Sequence, residues 1–144
     1  MKSMSLNVAI AGLVLLLAGC EALVGLLEPT SVTVSLVNTS EYDVEVTILI
    51  SDEQDIPEFM FDEFADELEY VVPAGNVVTF ARSCEDLQAI KIDDADLLVL
   101  GGLGPETSTD VLRDGDEFSC GSTIVFTFLH SDNLLDFRVT TQVR

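Results

Sequence analysis

Asp43-Val44-Glu45-Val46-Thr47-Ile48-Leu49-Ile50 is the stretch that decides the fold class. Successive side chains of an extended chain point to opposite faces, so Val44, Val46, Ile48 and Ile50 share one face and Glu45 and Thr47 take the other. That period of two predicts a strand with one buried side. Just upstream, Val32-Thr33-Val34-Ser35-Leu36 alternates in the same way, and Asn38-Thr39-Ser40-Glu41 between the two runs has the composition of a turn. The two runs read as a hairpin.

Further extended runs follow at Leu68–Val72, Val77–Arg82, Ala89–Ile92, Leu97–Leu100, Phe118–Ser119, Thr123–His130 and Leu135–Val143. They are punctuated by Pro73-Ala74-Gly75-Asn76, by Gly101-Gly102-Leu103-Gly104-Pro105 and by Ser131-Asp132-Asn133. Short strands at turn-punctuated spacing predict an all-β, antiparallel sandwich of immunoglobulin-like architecture over residues 31–144. One short helix is expected within residues 58–68, where Phe61, Phe64, Ala65 and Leu68 fall on one helical face.

The N-terminus has a different character. Lys2 is followed by the apolar run Leu6–Leu17 and by Leu17-Ala18-Gly19-Cys20. A charged start, a short apolar core and small residues at its end are the marks of a secretory signal. The tetrapeptide resembles the bacterial lipobox. The resemblance implies a lipoprotein signal peptide over residues 1–19, cleavage before Cys20, diacylglycerol on the Cys20 sulfur and, in many bacteria, an acyl chain on the new amino group. Two or three acyl chains make a stable anchor. A membrane-spanning reading of residues 6–27 places Glu21 at lipid depth, which is costly. Residues 20–30 are then a lipidated N-terminus and short tether, with Glu21 where an inner-membrane retention signal has Asp. The expected location is the cell envelope, the outer membrane in a Gram-negative host. The later chain is similar to small β-sandwich lipoproteins of uncharacterised function, in its Val-rich alternation and in Cys120-Gly121 before a strand. That similarity implies a fold and no activity.

All 26 acidic residues follow Cys20, against five basic ones, Arg82, Lys91, Arg113, Arg138 and Arg144, a balance of −21 once Lys2 is removed. Such a surface repels phosphate backbones, so nucleic acid is excluded as a partner. It also suits a salt-rich setting, where self-repulsion is screened. Cys84 and Cys120 remain as an even pair in an oxidising compartment and are expected to form a disulfide.

The densest acidic stretch is Asp52 to Glu69. It holds Asp52, Glu53, Asp55, Glu58, Asp62, Glu63, Asp66, Glu67 and Glu69, no base, and Phe59, Met60, Phe61 and Phe64. It reads as a protruding loop that meets a basic partner or Ca²⁺, with aromatic anchors. The plainer reading is a solvated face whose Phe residues cap the core. Asp93, Asp94 and Asp96, and Asp114 and Asp116, are weaker Ca²⁺ candidates without EF-hand spacing, and turn-forming Asp explains them equally well. His130 is the only histidine and has no marked nucleophile, and there is no Gly-x-Ser-x-Gly. One His and two paired Cys do not make a zinc site. Two expectations follow. One is a non-catalytic interaction or structural module, lipid-anchored through Cys20, with an acidic contact surface for an envelope protein. The other is a Ca²⁺-dependent envelope hydrolase or ligand-binding protein built on the acidic clusters.

Overall fold

A computed structural model describes residues 28–99, 104–131, 133 and 135–144. The signal segment, Cys20, most of the tether and Gly101-Gly102-Leu103 lie outside the described residues. In chain order the elements are β1 (Ser31–Asn38), β2 (Val44–Ser51), α1 (Glu58–Phe64), β3 (Asp66–Val72), β4 (Val77–Ser83), β5 (Ala89–Leu97), β6 (Glu106–Thr107), β7 (Leu112–Arg113), β8 (Thr123–His130) and β9 (Phe137–Val143). They form an all-β sandwich. One sheet has the order β4-β1-β8-β9, and the other β3-β2-β5-β6, with β7 also paired to β5. All strand pairs are antiparallel except β1 with β8, which is parallel. Among the described residues no helix is long and apolar enough to cross a membrane.

The core is made by the alternation read above. Val32, Val34 and Leu36 of β1 face Val44, Val46, Ile48 and Ile50 of β2, joined by Ile90, Ile92 and Leu97 of β5 and by Ile124, Phe126 and Phe128 of β8. The hairpin expected between β1 and β2 is not formed. β1 lies in one sheet and β2 in the other. Alternation says which face of a strand is buried and is silent on whether the next strand pairs beside it or packs across from it. Here residues 39–43 arch over the core. Asn38 Nδ2 donates to Tyr42 O at 2.8 Å and to Val72 O at 2.9 Å, and Ser40 donates through N and Oγ to Asn38 Oδ1. Thr39 donates through Oγ1 and N to Phe128 O at 2.8 and 3.1 Å. This network satisfies the buried Asn38 and ties the arch to both sheets. Pro73-Ala74-Gly75-Asn76 likewise carries the chain from one sheet to the other, with Gly75 at φ +67°.

Other boundaries moved. Ala89–Ile92 and Leu97 belong to one strand, β5, which runs through Asp93-Asp94-Ala95-Asp96. The register shifts between Thr47 and Ile48, so Asp93 is the extra residue of a bulge and the acids sit on a strand rather than a turn. Phe118 makes only an isolated bridge with Asp114. The helix ends at Phe64, and Leu68 is in β3, so the helical face proposed for residues 58–68 does not exist as one face. Phe61 alone of that set is fully buried. It covers Leu49, Ile56 and Ala89 on the outside of the second sheet. That explains why Ile48-Leu49-Ile50 is continuously apolar: the outward Leu49 has a lid.

Cys84 and Cys120 are bridged, with Cα atoms 5.4 Å apart. Cys84 follows β4 and Cys120 precedes β8, the two neighbours of β1. Between them enters the segment from Pro29. Cys84 N donates to Thr30 O at 3.0 Å, Gly121 N donates to Ser31 O at 3.1 Å, and Cys120 Sγ touches Pro29 O at 2.8 Å. Gly121 adopts φ +90°, and a Cβ there would lie 2.6 and 2.7 Å from the Pro29 ring. The disulfide thus encloses the root of the chain as it enters the first sheet.

Candidate functional site

The acids are not spread evenly. The strands of the first sheet, β1, β4, β8 and β9, contain no Asp or Glu at all. Its outer face carries Ser35, Val37, Thr79, Val125, Thr127 and Thr140 in register, with Arg138 at one side. The outer face of the second sheet carries Glu45, Glu67, Glu69, Asp94, Asp96 and Glu106. The molecule therefore has one face whose strands carry no acids and one strongly acidic face.

The stretch 52–69 divides into three parts on the acidic side. Residues 52–57 do not protrude freely. The Arg113 guanidinium donates to Gln54 O and to Ile56 O, the latter at 2.7 Å, and Gln54 Nε2 donates to Asp114 O. Helix α1 follows. It puts Phe61 into the sheet and leaves Phe59 and Phe64 85% and 58% exposed among Glu58, Asp62 and Glu63. Asp66, Glu67 and Glu69 then lie on β3, the edge strand of the sheet. Asp52, Glu53 and Asp55 are exposed on the pinned loop.

Lys91 on β5 holds the helix to the sheet. Its ammonium pairs with Asp62 of α1 and, at 2.7 Å, with Asp93. Burial pulls its pKa down, and the hydrogen bonds and charges of the two carboxylates more than offset that, leaving it above the usual lysine value. Further along β5 the carboxylates have no cation beside them among the described residues. Partial burial, then the charge of Asp96, raise the pKa of Asp94. Partial burial, then Glu106, raise that of Asp96. The hydrogen bond the two share favours the proton on Asp94 and the charge on Asp96. Asp114 and Asp116 sit apart, on the turn after β7, where Asp114 N donates to Gln88 O. Among the described residues no three His, Cys, Asp or Glu side chains are gathered to hold a metal ion. Of the weak candidates, Asp94 and Asp96 share the outer face of β5 as a pair, and Asp93, at the bulge, is taken up by Lys91.

His130, at the end of β8, meets Tyr42 edge-on at 5.9 Å, and its Nε2 has no hydrogen-bond partner. On the side where β3 turns into β4, the Tyr70 and Phe80 rings stack 5.1 Å apart. Beyond that stack the sandwich opens into a cleft of about 580 Å³ between the edge strands β3 and β4. Arg82 lines it, with Nε buried and without a hydrogen-bond partner. The sequence alone yields Lys91 and Arg113 only as part of the charge balance. Their scarcity was the available signal: in so acidic a chain the few cations mark where carboxylates or carbonyls converge.

No family model matches the chain, and no curated protein matches it. Among solved structures, the chain is similar to a protein from Eubacterium rectale solved by NMR, at 12% identity and a TM-score of 0.42, over 77% of this chain and 87% of that one.

Proposed function

We propose that the protein is a non-catalytic interaction module of the cell envelope, lipid-anchored through Cys20, whose contact surface is the acidic stretch 52–69. The observation that carries this reading is the pair Phe59 and Phe64, 85% and 58% exposed, on a helix whose other exposed residues are all acidic. Large aromatics are the side chains that anchor interfaces, and exposing two of them has a hydrophobic cost that a partner removes. The surrounding carboxylates select a basic partner and speed its arrival. The lipobox Leu17-Ala18-Gly19-Cys20 supports the anchor. The pinned loop and the Lys91–Asp62 pair keep the helix in place, so the surface is preorganised for contact.

Crosslinking in intact cells followed by mass spectrometry tests the reading. The tagged wild type is compared with Cys20→Ser and with a chain carrying Asp62→Asn, Glu63→Gln, Asp66→Asn and Glu67→Gln. A defined envelope protein recovered with the wild type and lost from both variants is expected. Equal recovery with the neutralised chain contradicts the surface, and equal recovery with Cys20→Ser contradicts the anchor.

A further inference from the structure

The geometry points to the cleft between β3 and β4 as the binding site for an extended, Lys- or Arg-rich segment of a partner protein, laid as an added strand along the free edge of β3. The inference rests on the acidic contact surface proposed above and goes further, naming the groove and the form of the ligand.

Three features of the groove agree on that ligand. β3 pairs with β2 on one side only, so its other edge presents backbone donors and acceptors to the cleft. The cleft is lined mainly by polar surface, with the carboxylates of Asp52, Asp66, Glu67 and Asp86 beside the apolar side chains of Ile50, Leu68 and the half-exposed Phe64. The single cation, Arg82, enters no ion pair among the described residues, and its buried Nε–H lacks an acceptor. A buried donor without a partner is costly, and a backbone carbonyl of an incoming strand supplies what it lacks. Alternate side chains of that strand, roughly 6.5–7 Å apart, then reach the lining carboxylates. The same carboxylates exclude a second copy of this chain: two β3 edges brought together would set Asp66, Glu67 and Glu69 against their own kind.

The test uses the full chain purified in detergent and a decapeptide of alternating Lys and Val, followed by fluorescence anisotropy at 150 mM salt and by hydrogen exchange of the complex. Binding is expected, with protection of the β3 amides. Asp66→Asn with Glu67→Gln should weaken it by about tenfold or more, whereas Asp94→Asn with Asp96→Asn, which removes equal charge from β5 away from the cleft, should change it by less than about twofold. Arg82→Lys, which keeps the charge and loses the planar fork, should weaken it by about threefold to tenfold. N-methylation of alternate peptide nitrogens should abolish protection of β3. Equal weakening by the two double variants, protection confined to α1, or no binding of the peptide at this salt would overturn the groove. Each leaves the contact surface itself to be judged by the crosslinking in cells, so the two failures are distinguishable. Unchanged melting temperatures confirm that the variants fold.

Discussion

The rings of Tyr70 and Phe80 stack 5.1 Å apart with planes 8° from parallel, and they join the edge of one sheet to the edge of the other. An aromatic pair contributes roughly 0.5–1.5 kcal/mol beyond the area it buries. Phe80→Leu is therefore expected to lower stability by about 1–2 kcal/mol, measured by urea unfolding, and to loosen hydrogen-exchange protection at the Tyr70 end of β3 first.

The Cys84–Cys120 bridge should be worth more than its position at one end of the fold suggests. It joins residues 36 apart in sequence and encloses the root of β1. The loop-entropy account gives roughly 4 kcal/mol for a closure of this length. Cys84→Ala with Cys120→Ala should lower the unfolding free energy by about that amount in the absence of reductant. The variant should then match the reduced wild type. Gly121→Ala, which meets the Pro29 ring at a positive φ, should cost about 1–3 kcal/mol with the disulfide intact.

Asp94 and Asp96 make a pH prediction whose sign is fixed by the direction of their shifts. Both titrate above the ordinary Asp range in the folded chain, from partial burial and then from neighbouring carboxylates. Protonation therefore favours the folded state. The contribution is fully present below the unfolded Asp value and is lost as pH rises through the folded values. Asp94→Asn should raise stability at pH 7 by roughly 0.5 kcal/mol after allowance for solvent screening. The gain should vanish near about pH 3, below the usual Asp range. Thermal melts at the two pH values check it. An equal gain at both contradicts the electrostatic origin.

The outcome for the acidic clusters shows how far the sequence was legible. Strand faces could be read directly, because burial of one face imposes a period of two on each strand independently. Sheet membership could not, because pairing beside and packing across leave the same alternation; the arch built on Asn38, Ser40 and Tyr42 decides it through side-chain hydrogen bonds to a distant Val72. Asp93-Asp94-Ala95-Asp96 looked like turn chemistry and is strand, because its outward positions need no apolar residue and its inward Ala95 is small. β6 and β7 are two residues long and carry no pattern to read. Of the candidate surface, its acids and exposed aromatics were visible in the sequence; the role of the bases that organise it depends on contacts between β5, β7 and the loop.

The same placement bears on Ca²⁺. Among the described residues, neither the carboxylates along β5 nor Asp114 and Asp116 on the turn after β7 form a cluster of three toward the six to eight oxygens that the ion prefers. Micromolar Ca²⁺ at physiological salt should leave the melting temperature unchanged within about 1 °C, since only a ligand held specifically by the folded state stabilises it at such a concentration. A rise of several degrees would contradict this reading of the clusters.

The central claim is that the acidic, aromatic side of the sandwich is the contact surface and that the acid-free sheet is not. A photo-crosslinking amino acid placed at position 59 on α1, and in a second strain at position 140 on β9, tests it in living cells. A discrete adduct from position 59 with none from position 140 is the expected result. Adducts from position 140 alone would contradict the account, and equal, diffuse labelling from both would show a surface with no dedicated partner.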